Sequence, residues 1–446
     1  MDCSKRVIQQ QKWRSFLESI RDINALIASY QFVARQLRVM NRSQCGQQFQ
    51  NIGLLYFQIS SVFSRNRKLL LVWGGLTVYL LEGLFAHKNS HFFGKKMPAL
   101  MNAVISRRNK CLTPTCVGKI IAHSCVTTSV AFDPTGRFMA TGSYDDTAKV
   151  WCISPDGTAA TRVATLAGHR CTVNSVAFDP TGRFVAIGCC DDTAKIWRIS
   201  PDNKGAAWVS TLAGHSEYVN SVAFDPTGRF VATGSSDNTA KIWCISLDHT
   251  GATFVETSVA TCVATLAGHS DSVYSVAFDP TGCFLSTGSR DKTAKIWRIS
   301  PDGAGATCVA TLAGHSSFVQ SVAFDPTGRF VATGSADNTA KIWHISLDDV
   351  ATTCVATLEG HSDAVLSVAF DPTGRCVATG SADGTAKIWH ISPDGVATTC
   401  VATLEGRRIR EGRRIRVTCV AYHPTGSRLA IVLAIGNWKT NLMLFR

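Results

Sequence analysis

The chain has 446 residues, 45% hydrophobic and 17% charged. That composition excludes an intrinsically disordered protein and is long enough for one large β domain beside a further module. The formal charge of +13 suggests nucleic acid until it is divided. Residues 1–110 hold 17 of the 45 lysines and arginines but 4 of the 32 acidic residues, so the whole excess lies there and the remainder is neutral.

The first 110 residues contain one proline, Pro98. Trp13, Phe16, Leu17, Ile20, Ile23, Ile27, Tyr30, Val33 and Leu37 recur at helical spacing, which predicts a long amphipathic helix, and residues 48–63 repeat the pattern less cleanly. Residues 69–86 form an apolar stretch broken by Glu82 and flanked by Arg65, Arg67, Lys68 and Lys88. Its length is the minimum for a membrane span, while the carboxylate and three glycines favour a buried helix of a soluble module. An α-helical, basic N-terminal region (1–110) is therefore expected, with membrane association through 69–86 as the alternative. No apolar run follows the first basic residues, so no secretory signal is expected.

From residue 111 onward, internal repetition dominates. The phrase from Gly214-His215 runs through Ser221-Val222-Ala223-Phe224-Asp225-Pro226-Thr227-Gly228 and Ala232-Thr233-Gly234-Ser235 to Trp243. It recurs with Trp151, Trp197, Trp297, Trp343 and Trp389, spaced 46 residues apart except for one step of 54. Short apolar runs separated by turn signals at this period indicate four-stranded blades. Asp, Pro and Gly in the first, second and fourth places of Asp225-Pro226-Thr227-Gly228 suit a type I turn joining two strands. The longer step reflects an insertion within residues 249–259. A tandem Glu-Gly-Arg-Arg-Ile-Arg duplicate places an arginine cluster at 407–416, either a phosphate or acidic-peptide grip or a solvated loop.

The Gly-His, the Asp 22 residues beyond the His, and the Trp six further on resemble the WD40 repeat. The resemblance implies an all-β seven-bladed β-propeller over 111–446, preceded by the helical region. It also implies a buried hydrogen-bonded tetrad in each blade: His123, Thr141, Asp145 and Trp151 in the first, and His215, Thr233, Asp237 and Trp243 in the third. His269, Thr287, Asp291 and Trp297 follow in the fourth, His315, Thr333, Asp337 and Trp343 in the fifth, and His361, Thr379, Asp383 and Trp389 in the sixth. The second keeps His169, Asp191 and Trp197 but carries Ile187 in place of the Thr. A degenerate seventh blade starts near Val417, turns at His423-Pro424-Thr425-Gly426 and ends with Phe445 in the Trp place. Residues 114–122 resemble the fourth strand of the later repeats and are expected to complete it, closing the ring.

Comparison among repeats separates a constant frame from variable places. These lie just before the tetrad Asp (Tyr144 and Arg290 among them) and at the start of the first strand. There Tyr274, Gln320 and Leu366 replace Thr128, Asn174 and Asn220, with Tyr218 and Phe318 two residues upstream of that place. In the WD40 family these places line the top face where partners dock. Tyr144, Tyr218, Tyr274, Arg290, Phe318, Gln320 and Leu366 are therefore the candidate binding residues for a protein or peptide, since aromatics and Arg dominate interface energetics.

The same His, Asp and Thr recurring in identical settings do not read as catalytic triads, and no phosphate loop, HExxH or nucleophile elbow occurs. No enzyme activity, catalytic residue or cofactor is expected. Cys111 with Cys116 and the adjacent Cys189–Cys190 lack a second ligand pair nearby in sequence, so no metal is expected either. The 17 cysteines are odd in number and irregularly placed, which points to free thiols in a reducing, intracellular setting, the cytoplasm. The expected role is a protein-interaction scaffold. Membrane-tethered recruitment through 69–86 and nucleic-acid association through the basic segments are the alternatives.

Overall fold

The computed structural model describes residues 116–445, apart from 170, 201–204, 246–259, 301–302, 304, 347–351, 393, 406–414, 427–428 and 436–438. The expected N-terminal helices, the apolar stretch 69–86, the insertion within 249–259 and most of the arginine duplicate lie outside these residues.

Twenty-eight strands, from β1 (Cys116–Ile120) to β28 (Lys439–Phe445), build seven four-stranded antiparallel sheets. The third sheet shows the plan. β10 (Val219–Phe224), β11 (Phe230–Ser235), β12 (Thr239–Cys244) and β13 (Thr261–Ala267) follow one another in sequence and in space. The turn between β10 and β11 closes with the Gly228 N–H on the Asp225 carbonyl at 3.0 Å. Gly228 there takes a φ of +73°, which a side chain disfavours. The Asp225 carboxylate binds the turn from within. One oxygen accepts the Phe230 N–H at 2.7 Å, and the other accepts the Thr227 N–H at 3.0 Å and the Thr227 hydroxyl.

The inner strands of successive blades pack side by side around a ring, β2 (Thr127–Phe132) against β26 (Ile415–Tyr422) at the seam. The core consists of seven apolar clusters, each shared by two neighbouring blades. At one joint Phe230, Ile242 and Leu266 of blade 3 pack on Val273, Val276 and Leu285 of blade 4. A blade thus buries its faces only against its neighbours, which makes the blades mutually dependent. The Gly that recurs in the second strand of blades 1 to 6 has a packing reason. A Cβ on Gly234 would meet Val273 Cγ1 at 2.8 Å and Val276 Cγ1 at 2.9 Å, closer than real Cβ contacts allow.

The seventh blade is assembled from both ends of this region, in the order β1, β28, β27 (Leu429–Ile435), β26. β1 runs antiparallel to β28, with Lys119 opposite Met443 and Ile120 opposite Leu442. The register of β27 with β28 sets Phe445 opposite Leu429, as Trp243 stands opposite Val231 in blade 3. β1 thus covers β28, which would otherwise be the outer edge of the seventh sheet.

Candidate functional site

At one end of blades 1 to 6, the end opposite the Asp-Pro-Thr-Gly turns, the sequence-derived tetrad residues come together. In blade 3 the Trp243 indole N–H donates to Thr233 Oγ1 at 2.9 Å, and Thr233 Oγ1 lies 2.7 Å from His215 Nε2. His215 Nδ1 lies 2.7 Å from Asp237 Oδ2. Blades 1, 4, 5 and 6 repeat the chain, with His–Asp distances of 3.0, 2.7, 2.8 and 2.8 Å and the same 2.9 Å indole contact.

The protons follow from electrostatics. Burial holds the His215 imidazole below its ordinary pKa despite the pull of Asp237, so the ring is neutral. Burial works against the charged form of Asp237, but hydrogen bonds from Thr239 and His215 outweigh it and keep the carboxyl below the ordinary range. In blade 1 the same balance, led by Thr147, brings Asp145 down to about 2. A carboxylate only accepts, so Nδ1 carries the imidazole hydrogen. Nε2 then accepts the Thr hydroxyl, whose oxygen accepts the indole N–H. Every donor has an acceptor, and the Thr233 hydroxyl at the centre of the chain is fully buried.

Blade 2 breaks the chain. Ile187 occupies the Thr place, fully buried, and both His169 Nε2 and Trp197 Nε1 are buried without a hydrogen-bond partner. The His169–Asp191 contact lengthens to 3.3 Å. In blade 7 the Thr and Trp places are both apolar and buried, Ile431 and Phe445, so neither leaves an indole or hydroxyl to satisfy.

The variable places sit beside these tetrads. The residue before the tetrad Asp donates its N–H to the loop ahead of the blade's first strand: Tyr144 to Val126, Ser236 to Tyr218, Arg290 to Ser272 and Ala336 to Phe318, each at 2.9 Å. Tyr144 is 54% exposed and Tyr218 51%. Arg290 crosses from blade 4 to blade 5, its guanidinium 5.1 Å from the Phe318 ring centre, and Nε lies 3.7 Å from Asp271. Tyr274, Gln320 and Leu366 are half-buried.

The place that Tyr274, Gln320 and Leu366 occupy is structural in the earlier blades. Thr128 Oγ1 donates to the Val173 carbonyl at 2.6 Å, Asn174 Nδ2 to Val219 at 3.1 Å and Asn220 Nδ2 to Val273 at 3.0 Å, each pinning a blade to the next. Repeat comparison alone read these as surface variation. It also passed over Trp208, 56% exposed on the outer strand of blade 2. At the opposite end the seven turns frame a cavity of about 570 Å³ lined by Phe178, Phe224, Phe278, Phe324, Phe370 and Tyr422 among others.

No disulfide joins the described cysteines, and six of them, including Cys262, Cys308, Cys354 and Cys400 on outer strands, are exposed. Among the described residues no helix is long and apolar enough to cross a membrane.

The family model of the WD domain, G-beta repeat, matches residues 114–152, 160–198, 207–244, 260–298, 306–344 and 352–390. A stretch of 41 residues is 51% identical to the probable cytosolic iron-sulfur protein assembly protein 1 of Mycosarcoma maydis, covering 9% of this chain and 9% of that protein. That likeness is shorter than one 46-residue repeat. Since the six matched repeats together take up more than half of the sequence, the chain belongs to the WD40 repeat family.

Proposed function

We propose that the chain is a non-enzymatic scaffold whose propeller binds a protein or peptide across the tetrad end of blades 1 to 6. The observation that carries this reading is the combination at that end of exposed aromatic side chains, Tyr144 and Tyr218, with the Arg290–Phe318 pair bridging two blades. Aromatic rings and Arg are the side chains that most often supply binding energy, and here the rigid tetrads hold their backbones in place. A propeller of the WD40 type is generally an interaction platform, and the saturated tetrads supply stability instead of chemistry. The exposed thiols favour a reducing compartment, with the cytoplasm as the proposed location. The relative's iron-sulfur assembly role is not carried over, because the likeness spans one repeat-sized stretch.

The test is quantitative affinity capture from native extract with the full chain and with a variant carrying Tyr218, Tyr274, Arg290 and Phe318 all changed to Ala. The reading expects at least one partner to be depleted about tenfold or more on the variant while its thermal midpoint is unchanged. Equal recovery of every partner on both proteins would refute it.

A further inference from the structure

Blade 2 differs from its neighbours at two nearby places, and the differences act together. Ile187 removes the tetrad hydroxyl, and Cys189 stands where the five complete blades carry Ser143, Ser235, Ser289, Ser335 and Ser381. In blade 3 the Ser235 hydroxyl donates to the Glu217 carbonyl at 2.9 Å, and its oxygen accepts the Asp237 N–H at 3.1 Å. Cys189 keeps the first bond, its Sγ donating to the Cys171 carbonyl at 3.0 Å, so the sulfur takes the place of that oxygen beside the tetrad. One imidazole nitrogen of His169, Cys189 Sγ and a carboxylate oxygen of Asp191 come within 4.8 Å of one another.

The missing hydroxyl changes what the imidazole offers. In a complete blade the Thr O–H occupies the Nε2 lone pair, which fixes the hydrogen on Nδ1 and directs it to the Asp. His169 Nε2 has no such donor. The hydrogen can therefore reside on Nε2, leaving the Nδ1 lone pair, which faces the Asp191 carboxylate, free for a cation. The lengthened 3.3 Å contact to Asp191 accords with this looser pairing. The Asp191 side chain is 21% exposed, against 8–12% for its counterparts in the five complete blades, so water and ions reach it.

We propose that His169, Cys189 and Asp191 form a binding site for a zinc-class divalent cation, with water as the fourth ligand. One neutral nitrogen, one sulfur and one carboxylate suit a borderline-soft, tetrahedral ion. Bonds of about 2.0–2.3 Å bring tetrahedral ligand atoms to roughly 3.3–3.8 Å of each other. His169 Nδ1 and Asp191 Oδ2 already stand 3.3 Å apart, and the sulfur lies within 4.8 Å of the other two donors. A thiol binds such a cation as thiolate, so the cation displaces a proton from the Cys189 sulfur as it binds. Lys195 Nζ, 3.7 Å from the same carboxylate and also bound to the Gly168 carbonyl, is the group a cation must outcompete for Asp191.

Two variants separate the site from the many other thiols. Cys189→Ser installs the residue the other blades tolerate in the same backbone setting, and Ile187→Thr restores the hydroxyl that holds the imidazole hydrogen on Nδ1. Zinc is titrated into the reduced full-length chain against a chromogenic chelator, and cobalt(II) is used as a probe of thiolate coordination. The wild type should bind one more equivalent of zinc than Cys189→Ser and show a sulfur-to-cobalt absorption that this variant lacks, at equal thermal midpoints. Ile187→Thr should weaken zinc binding at least tenfold while raising the midpoint. Equal zinc stoichiometry and affinity in wild type and Cys189→Ser, or undiminished affinity in Ile187→Thr, would overturn the proposal.

Discussion

His423 donates its Nε2 hydrogen to the carbonyl of Gly136 at 3.0 Å, joining residues 287 apart in sequence and tying blade 7 to blade 1. In the other six blades an Asp opens the turn and spends its carboxylate on its own backbone. At His423, Nδ1 instead accepts the Thr425 N–H at 3.2 Å, which leaves the hydrogen on Nε2 for the next blade. The ring also meets Phe132 edge-on at 5.3 Å. His423→Ala should lower stability by about 1–2 kcal/mol. Hydrogen exchange should quicken first in β1 and β28, at the seam, and equal acceleration around the ring would contradict this.

The contrast between blades 2 and 7 predicts opposite outcomes for two substitutions. Replacing both partners of a buried polar contact by apolar groups is nearly neutral, whereas replacing one leaves the other unsatisfied at about 1–3 kcal/mol. Ile187→Thr supplies the partner for Trp197 and His169 and loses two buried apolar carbons, worth about 1.6 kcal/mol. It should stabilise the protein by about 1–2 kcal/mol. Thr333→Val in blade 5 creates the blade 2 defect anew and should cost about 2 kcal/mol. Thermal unfolding of both variants checks the pair, and shifts of the same sign would be inconsistent with the hydrogen-bond account.

Stability should fall on mild acidification. His123, His169, His215, His269, His315 and His361 are all held below their ordinary pKa, chiefly by burial. Unfolding frees each to take up a proton near its ordinary value of about 6.5. Their stabilising effect is therefore complete above that pH and is lost as the pH drops below it, at about 1.4 kcal/mol per pH unit for each proton gained on unfolding. The tetrad carboxylates, lowered in the folded chain, add a second loss below about pH 4. Denaturant unfolding at pH 7.5, 6.5 and 5.5 measures the first effect, and a constant midpoint would rule it out.

Gly234→Ala tests the joint between blades 3 and 4. The added methyl meets the methyls of Val273 and Val276, which are themselves packed in the joint cluster. An overpacked core of this kind costs about 1–3 kcal/mol. In the double variant Gly234→Ala, Val276→Ala the obstacle is trimmed, so its cost should fall below the sum of the two single costs, a coupling that a thermal double-mutant cycle reads directly.

The propeller was legible because each repeat carries its own turns, and because the His, Asp and Trp recur at fixed offsets that only stacked blades explain. Phe445 could be set in the Trp place from sequence for the same reason. What resisted reading is contact between repeats. Arg290 and Phe318 belong to different blades, and nothing in their separation announces that they meet. Asn174 and Asn220 looked like loop variation, yet they bond the next blade's backbone. His169, Cys189 and Asp191 lack any spacing typical of metal ligands, because the blade itself brings them together. The functions expected of residues 1–110 fall on segments outside the described structure.

The central claim is that a partner docks on the tetrad end of the propeller. Hydrogen exchange on the full-length chain, with and without the partner recovered by capture, tests it most directly. Binding should protect the loops that carry Tyr144, Tyr218, Arg290 and Phe318 and leave the Asp-Pro-Thr-Gly turns unchanged. Protection confined to those turns, or to the outer strand bearing Trp208, would contradict the account and place the binding surface elsewhere on the ring.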